Sequence, residues 1–230
     1  MGNPGYEQLE KEAERNFEVG RFLSAAREFQ ALSLIAEREK EARAAGRFAA
    51  KSGDCWLKLG NHFNAAAMYE RAAECYSLTG DIGLRRKYLK IALSELLLAA
   101  KKHELEVSKR VEVLIRAANC SRSLGDQKVA ERLLLKACKE AISTAEKERE
   151  RVKPEKAAKY YLLAAKCYSE MNDRKNAARM RLFAIECINQ FLQHREKYPE
   201  ETTEVEDVLK ELFEKMGDGE MGDENFRENI

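Results

Sequence analysis

Three segments of the chain repeat one pattern, and this repetition constrains the fold more than any other feature of the sequence. Each segment contains two consecutive alanines, a cysteine three residues after the first alanine, and then Gly-Asp or Asn-Asp. The segments are residues 72–81, 117–126 and 164–173, so they follow one another at spacings of 45 and 47 residues. Self-similarity at such a period indicates an array of similar helical units.

The end of the pattern predicts a tight turn between two helices. Glycine or asparagine ends a helix because it tolerates the left-handed backbone conformation. The aspartate that follows can accept a hydrogen bond from a free backbone N–H of the next helix. Composition agrees, because Ala, Leu, Glu, Lys and Arg, which favour helix, make up more than half of the 230 residues. No proline interrupts the chain between Pro4 and Pro154.

These signals predict an all-α fold in one helical domain over residues 1–216. A tail over 217–230 has three glycines and five acidic residues against one arginine, and we predict that it is disordered and dispensable for folding. The weakest predicted helix break is at 37–40, where no residue type ends a helix. The predicted helices span residues 6–19, 21–37, 40–59, 62–79, 82–102, 105–124, 127–151, 155–171, 174–197 and 202–216.

Charge and hydropathy restrict the classes of partner. The 41 basic and 40 acidic residues give a net charge of +1, which argues against nucleic acid as the partner. The short basic clusters Arg85-Arg86-Lys87 and Lys101-Lys102-His103 keep an RNA-binding protein, or a weak contact with anionic lipid, as alternatives. The longest uncharged run, residues 59–69, is shorter than the roughly 20 residues of a membrane span. We therefore predict a cytoplasmic protein with no transmembrane segment.

No metal, cofactor or catalytic site is predicted. The six cysteines lie at least 18 residues apart and the three histidines are scattered, so no local zinc site can form. Phosphate-binding, dinucleotide-binding and hydrolase motifs are absent, although an enzyme with an unrecognised site remains an alternative. Four cysteines share one place, five residues before a turn residue, and we predict that this place is buried packing. They are Cys55, Cys75, Cys120 and Cys167.

Small residues at fixed distances from the turns resemble the tetratricopeptide repeat (TPR) over about residues 9–190. Seven residues before the turn stand Gly53, Ala73, Ala118 and Ala165; five after it, Ala25, Ala65, Ala130 and Ala177; twelve after it, Ala72, Ala92, Ala137 and Ala184. Arg85 and Leu32 depart from this pattern, the period is longer than usual, and the proline expected at the end of each repeat is missing.

The resemblance implies a right-handed TPR-like α-solenoid of about nine to ten antiparallel helices. It also implies a non-catalytic adaptor or scaffold that docks a protein or peptide. Long helix pairs are similar to those of the soluble NSF attachment protein family, so a vesicle-fusion adaptor is a further alternative.

In TPR proteins, residues thirteen, ten, six and three positions before the turn line a concave groove, and the resemblance therefore implies a partner-binding stripe. We predict that this stripe is polar, locally basic around two apolar residues, and suited to an acidic or amphipathic helix. Helix 62–79 could be the first or the second helix of a pair, so the sequence leaves open which helices line the groove. The alternative is that the stripe is an ordinary solvent-exposed face. The predicted binding residues are Arg47, Asp54, Ile115, Asn119, Arg122, Lys159, Leu162 and Lys166.

Overall fold

The computed structural model describes residues 4–102 and 104–195, and within these ranges every regular element is an α-helix. The all-α, TPR-like prediction is confirmed, and the predicted helix boundaries agree with the structure to within a few residues. The predicted helix 202–216 and the predicted acidic tail lie outside the described residues. The helices are α1 (Pro4–Glu18), α2 (Phe22–Arg38), α3 (Ala42–Lys58), α4 (His62–Leu78), α5 (Ile82–Ala100), α6 (Val107–Ser123), α7 (Gln127–Glu150), α8 (Pro154–Glu170) and α9 (Arg174–Arg195).

Most of the connections are tight turns built around one residue with a positive φ. The predicted turn residues Gly60, Gly80, Gly125 and Asn172 all adopt this conformation, and so does Gly20. The predicted caps also form: Asp81 Oδ1, for example, accepts a hydrogen bond from the backbone N–H of Leu84 at 3.0 Å. The caps of α4, α7 and α9 follow the same geometry, with Asn61, Asp126 and Asp173 as acceptors.

Two turns use the left-handed conformation without glycine or asparagine. Lys40 has a φ of 64° and Val152 a φ of 58°. Lys40 explains the predicted break at 37–40, for which the sequence offered no helix-ending residue. It completes a regular series, because positive φ recurs at residues 20, 40, 60 and 80. The 20-residue spacing gives α2, α3 and α4 the same length of 17 residues.

The described chain divides into two compact units. The first comprises residues up to 105 together with 113–133, and the second comprises 106–112 and the described residues from 134 onward. In the first unit each of the helices α1 to α4 packs against the next one along the chain, and in the second α8 packs against α9. That residues 1–216 form a single domain stays a prediction.

Ion pairs between alternate helices define two layers in the first unit. Lys51 of α3 reaches Glu14 of α1, with Nζ 2.6 Å from Oε1, so α1 and α3 are neighbours in what we call the odd layer. Arg71 of α4 pairs with Glu37 of α2, and Arg116 of α6 pairs with Glu70 of α4. We call α2, α4 and this part of α6 the even layer.

Small side chains make the close packing possible. The four cysteines of the shared place are at most 3% exposed, which confirms their prediction as buried core residues. Two buried serines satisfy their hydroxyl groups on a neighbouring helix: Ser33 donates to the carbonyl of Ala45 at 3.0 Å and Ser52 to that of Ala26 at 2.8 Å. Among the described helices, none has a stretch long and apolar enough to cross a membrane.

Candidate partner-binding surface

The structure separates the residues that were predicted to form one stripe. Arg47 and Asp54 are exposed on α3, in the odd layer. Asn119 is exposed on α6, in the even layer, where its side-chain oxygen accepts a hydrogen bond from Arg122 Nη1 at 2.9 Å. The helices α3 and α6 each precede a Gly-Asn or Gly-Asp turn, yet they lie in different layers because α4 is both followed and preceded by such a turn. Whether α4 is the first or the second helix of a pair therefore decides which of these residues share a face.

The apolar members of the predicted stripe lie in the interior. Ile115 is 4% exposed and Leu162 is 1% exposed. Their side chains belong to the chain's own core, so they have no apolar surface to offer a partner, and only the polar members of the stripe are accessible. Of these, Lys159 and Lys166 are exposed on α8 in the second unit.

An aromatic strip that the sequence analysis missed lies beside Arg47 and Asp54. The ring of Tyr88 on α5 stacks on two rings of α4, with centroids 6.0 Å from Tyr69 and 5.6 Å from Tyr76 and interplanar angles of 12° and 9°. Tyr69 and Tyr76 are buried, whereas Tyr88 is half-buried. We call these three residues the tyrosine strip.

Two glycines of α3 make room for the strip. A Cβ atom on Gly46 would lie 3.0 Å from Cε2 of Tyr76, and one on Gly53 would lie 2.9 Å from Cε1 of Tyr69. The glycines are seven residues apart, as are the two tyrosines, so each pair spans two turns on one side of its helix. This matched spacing is the signal that could have revealed the strip from the sequence.

The strip carries opposite charges at its two ends. At one end, the Tyr69 hydroxyl donates a hydrogen bond to Asp54 Oδ1 at 2.6 Å, and burial together with this carboxylate raises the pKa of Tyr69. At the other end, burial raises the pKa of Tyr76 while the nearby guanidinium groups of Arg43 and Arg47 oppose that shift. An aromatic centre with a carboxylate at one end and guanidinium groups at the other suits a polypeptide segment better than a uniformly charged polymer.

Carboxylates of α1 accompany the basic residues of α3. Arg47 Nη2 lies 3.0 Å from Glu10 Oε1, and Lys51 contacts both Glu14 and, at 4.0 Å, Glu10. The surface of α1 and α3 therefore alternates in sign and is not a continuous basic stripe.

The even layer contains two copies of a Glu–Arg–Cys cluster, in which an arginine four residues before a cysteine meets a glutamate of the preceding even-layer helix. Arg116 Nε lies 3.1 Å from Glu70 Oε2, and the Cys120 thiol donates to Glu70 Oε1 at 3.4 Å. The second copy comprises Glu37, Arg71 and Cys75.

Each cluster uses its polar groups to join alternate helices within the molecule. Burial, reinforced by the adjacent carboxylate, raises the pKa of Cys75 to about 11 and that of Cys120 to about 12. These thiols are therefore protonated and poorly nucleophilic at neutral pH. In the part of the chain that the structure describes, no three His, Cys, Asp or Glu side chains come together in a way that could hold a metal ion.

Comparison with known proteins identifies structural neighbours but no family. No protein-family model and no curated protein matches the chain. A kinesin light chain with nearly identical TPR-like repeats from Podospora anserina is 13% identical over 86% of this chain and 100% of that chain, with a TM-score of 0.33. MamA is 14% identical over 79% of this chain and 96% of that chain, with a TM-score of 0.28. Both scores are low, so the TPR-like description of this chain rests on its own helices, turns and buried small residues.

Proposed function

We propose that this protein is a non-catalytic scaffold that docks a segment of a partner protein on the odd-layer face of its first unit. The observation that carries the proposal is the position of the tyrosine strip between two of the predicted binding residues, Arg47 and Asp54. The half-exposed ring of Tyr88 offers apolar contact area, and the charged groups at the two ends can fix the direction of a bound chain.

A protein partner fits this face better than RNA. Aromatic rings beside basic residues can stack on nucleic acid bases, but binding to a phosphate backbone requires a continuous positive surface. Here Asp54 accepts the Tyr69 hydrogen bond inside the strip, and Glu10 and Glu14 neutralise the basic residues of α3. An acidic or amphipathic helix could replace the carboxylates of α1 as partners of these basic residues, and the released glutamates would then be solvated by water.

The accessible residues of the predicted stripe are a second candidate, and they lie on α6 in the first unit and on α8 in the second. These residues are Asn119, Arg122, Lys159 and Lys166, and Arg122 is half-buried. With Ile115 and Leu162 in the core, this candidate has charge but lacks the apolar contact that gives a docked helix its affinity.

Affinity capture with mass spectrometry can decide between the two surfaces. We expect partners captured by the wild-type chain to be lost with the double variant Arg47→Glu and Tyr88→Ala, because it reverses one end of the strip and removes its exposed ring. The matched control is Arg122→Glu with Lys166→Glu, which should retain those partners. Circular dichroism must show that both variants keep their helix content.

The opposite result would move the site away from the tyrosine strip. If the control variant loses the partners and the strip variant keeps them, residues of α6 or of α8 bind the partner. If both variants retain every partner, neither surface is used and the proposal fails.

A further inference from the structure

The turn between α4 and α5 has an exposed apolar tip. Leu78, the last residue of α4, is 80% exposed, and Ile82, the first residue of α5, is 66% exposed. They are two of the three most exposed large apolar side chains among the described residues. The tight turn at Gly80 places them within five residues of each other, at the end of the helical hairpin.

The first half of α5 carries a local excess of basic residues. Residues 82–94 contain Arg85, Arg86, Lys87 and Lys90 but no acidic residue. The last three of these side chains are exposed, and the described structure gives Arg86 and Lys90 no carboxylate partner. Asp81, the N-cap of α5, is the acidic group that the helix dipole favours at this end, and the first turn that follows it contains no further acidic residue. Helix stability therefore does not account for this charge.

The basic side chains lie toward the apolar tip. In an α-helix, long side chains lean toward the N-terminus, which for α5 is the end that begins at Ile82. Arg86 follows Ile82 by four residues and Lys90 follows by eight, so all three share one side of the helix. Arg43, with a side chain 80% exposed, adds a guanidinium group 4.0 Å from Asp81 at the same turn.

The other exposed apolar turn residues differ in their surroundings. Val152, at the α7–α8 turn, is 73% exposed, but residues 146–156 around it contain acidic and basic residues in alternation. Val19, at the α1–α2 turn, follows Glu18 and precedes Arg21, so its neighbours also differ in sign. Only the α4–α5 turn, among the described turns, combines two protruding aliphatic residues with a run of four basic residues that no acidic residue interrupts.

We propose that the α4–α5 turn docks on an anionic lipid surface. Leu78 and Ile82 enter the interface between the headgroups and the acyl chains, while Arg86, Lys87 and Lys90 contact acidic headgroups. An exposed apolar tip suits a lipid surface, which deforms around it, whereas a folded protein would have to provide a matching cavity. The contact is peripheral and reversible, because two aliphatic side chains and a few charges supply only weak binding.

Vesicle sedimentation with the full chain tests the proposal. One set of vesicles is phosphatidylcholine alone, and the other contains about a third phosphatidylserine to supply a negative surface potential. We expect the wild-type chain to sediment with the second set only, and less as salt rises. Each basic residue near such a surface contributes roughly fivefold in affinity, so Arg86→Gln with Lys90→Gln should reduce binding by more than about tenfold.

Two further variants distinguish a specific contact of the apolar turn residues with lipid from general charge attraction. Leu78→Ser with Ile82→Ser should weaken binding to the anionic vesicles, whereas Val152→Ser, at an equally exposed turn, should leave it unchanged. All substituted side chains are exposed, so melting temperatures should match the wild type. The proposal would be overturned by equal binding to both vesicle types or by absence of binding to either. It would also be overturned by undiminished binding of the Leu78 and Ile82 variant, or by an equal loss of binding with Val152→Ser. None of these substitutions touches the tyrosine strip, so partner capture reports on the proposed function separately.

Discussion

The two layers of the first unit use similar ion pairs in different surroundings. In the odd layer, Lys51 and Glu14 have side chains 33% and 48% exposed. In the even layer, the corresponding pair of Arg116 and Glu70 is 21% and 22% exposed, and the Cys120 thiol adds a hydrogen bond to the same carboxylate. The odd-layer pair has a single contact through a flexible ammonium group, whereas the arginine meets its carboxylate through two nitrogen atoms.

This difference in burial assigns the layers different roles. An exposed ion pair contributes little to stability, because water and salt screen it and two long side chains must be ordered. A half-buried guanidinium–carboxylate pair costs more to break, since the remaining partner loses compensation in a poorly hydrated place. The even layer therefore holds alternate helices together, while the charges of the odd layer can be exchanged with those of a partner at small cost.

The largest expected effect is at Gly53, where the odd layer approaches α4. Gly53→Ala places a Cβ atom 2.9 Å from the Tyr69 ring, and the ring cannot move without disturbing its stacking on Tyr88. We expect a loss of about 1–3 kcal/mol in the free energy of unfolding, as in other overpacked cores. Thermal denaturation would show it as a fall of about 2–4 °C for each kcal/mol in a chain of this size.

Gly83 provides the matched control for that substitution. It is also a helical glycine, but a Cβ atom there would meet only Asp81 Oδ1, at an ordinary distance of 3.5 Å. Gly83→Ala should leave stability unchanged or raise it by up to about 1 kcal/mol, because alanine favours helix more than glycine. If Gly53→Ala were as well tolerated as Gly83→Ala, close approach of α3 to Tyr69 would not be a requirement of the fold.

The next effect compares the ion pairs of the two layers. Arg116→Met should lower the free energy of unfolding by about 1–2 kcal/mol, because Glu70 keeps only its contact with the thiol of Cys120. Lys51→Met should change it by less than about 0.5 kcal/mol. Urea denaturation at low and high salt measures both. Equal losses from the two substitutions would contradict the distinction between the layers.

The local structure of this chain was largely predictable because most helix ends carry their own chemical signal. Gly-Asp, Gly-Asn and Asn-Asp specify both the left-handed residue and the next cap, and all of these turns form as predicted. Lys40 and Val152 show where such reasoning stops, since neither side chain favours a positive φ. At these two positions the packing of the flanking helices dictates the backbone.

The candidate site was less predictable because it depends on which helices are neighbours. Residues at equal distances from similar turns were expected to share a face, which would place Asp54 and Asn119, each six residues before its turn, in equivalent positions of the stripe. The ion pairs of Lys51 with Glu14 and of Arg116 with Glu70 place their helices in different layers instead. Likewise, Ile115 occupied a groove position by spacing but lies in the core, since burial depends on the helices packed around it and not on distance from a turn.

The smallest expected effect concerns the buried thiols, and it tests whether the two layers also differ in their cores. Burial is the main cause that raises the pKa of Cys55, in the odd layer, to about 11, and that of Cys120, in the even layer, to about 12. Above the ordinary thiol pKa of 9.0, the unfolded chain loses these protons while the folded chain keeps them. The folded state then binds more protons, so stability falls as pH rises from about 9 to 11, by about 1 kcal/mol per thiol at pH 10.

Serine does not titrate in this range, so serine variants can isolate each contribution. Melting temperatures between pH 8 and pH 10.5 should fall less steeply for Cys55→Ser and for Cys120→Ser than for the wild type, and by similar amounts, because burial dominates at both sites. If only Cys120→Ser flattened the profile, the Glu70 carboxylate and not burial would control the thiol, and the even layer would be electrostatically distinct at its core as well as at its surface. If neither variant changed the slope, other groups would carry the alkaline loss of stability.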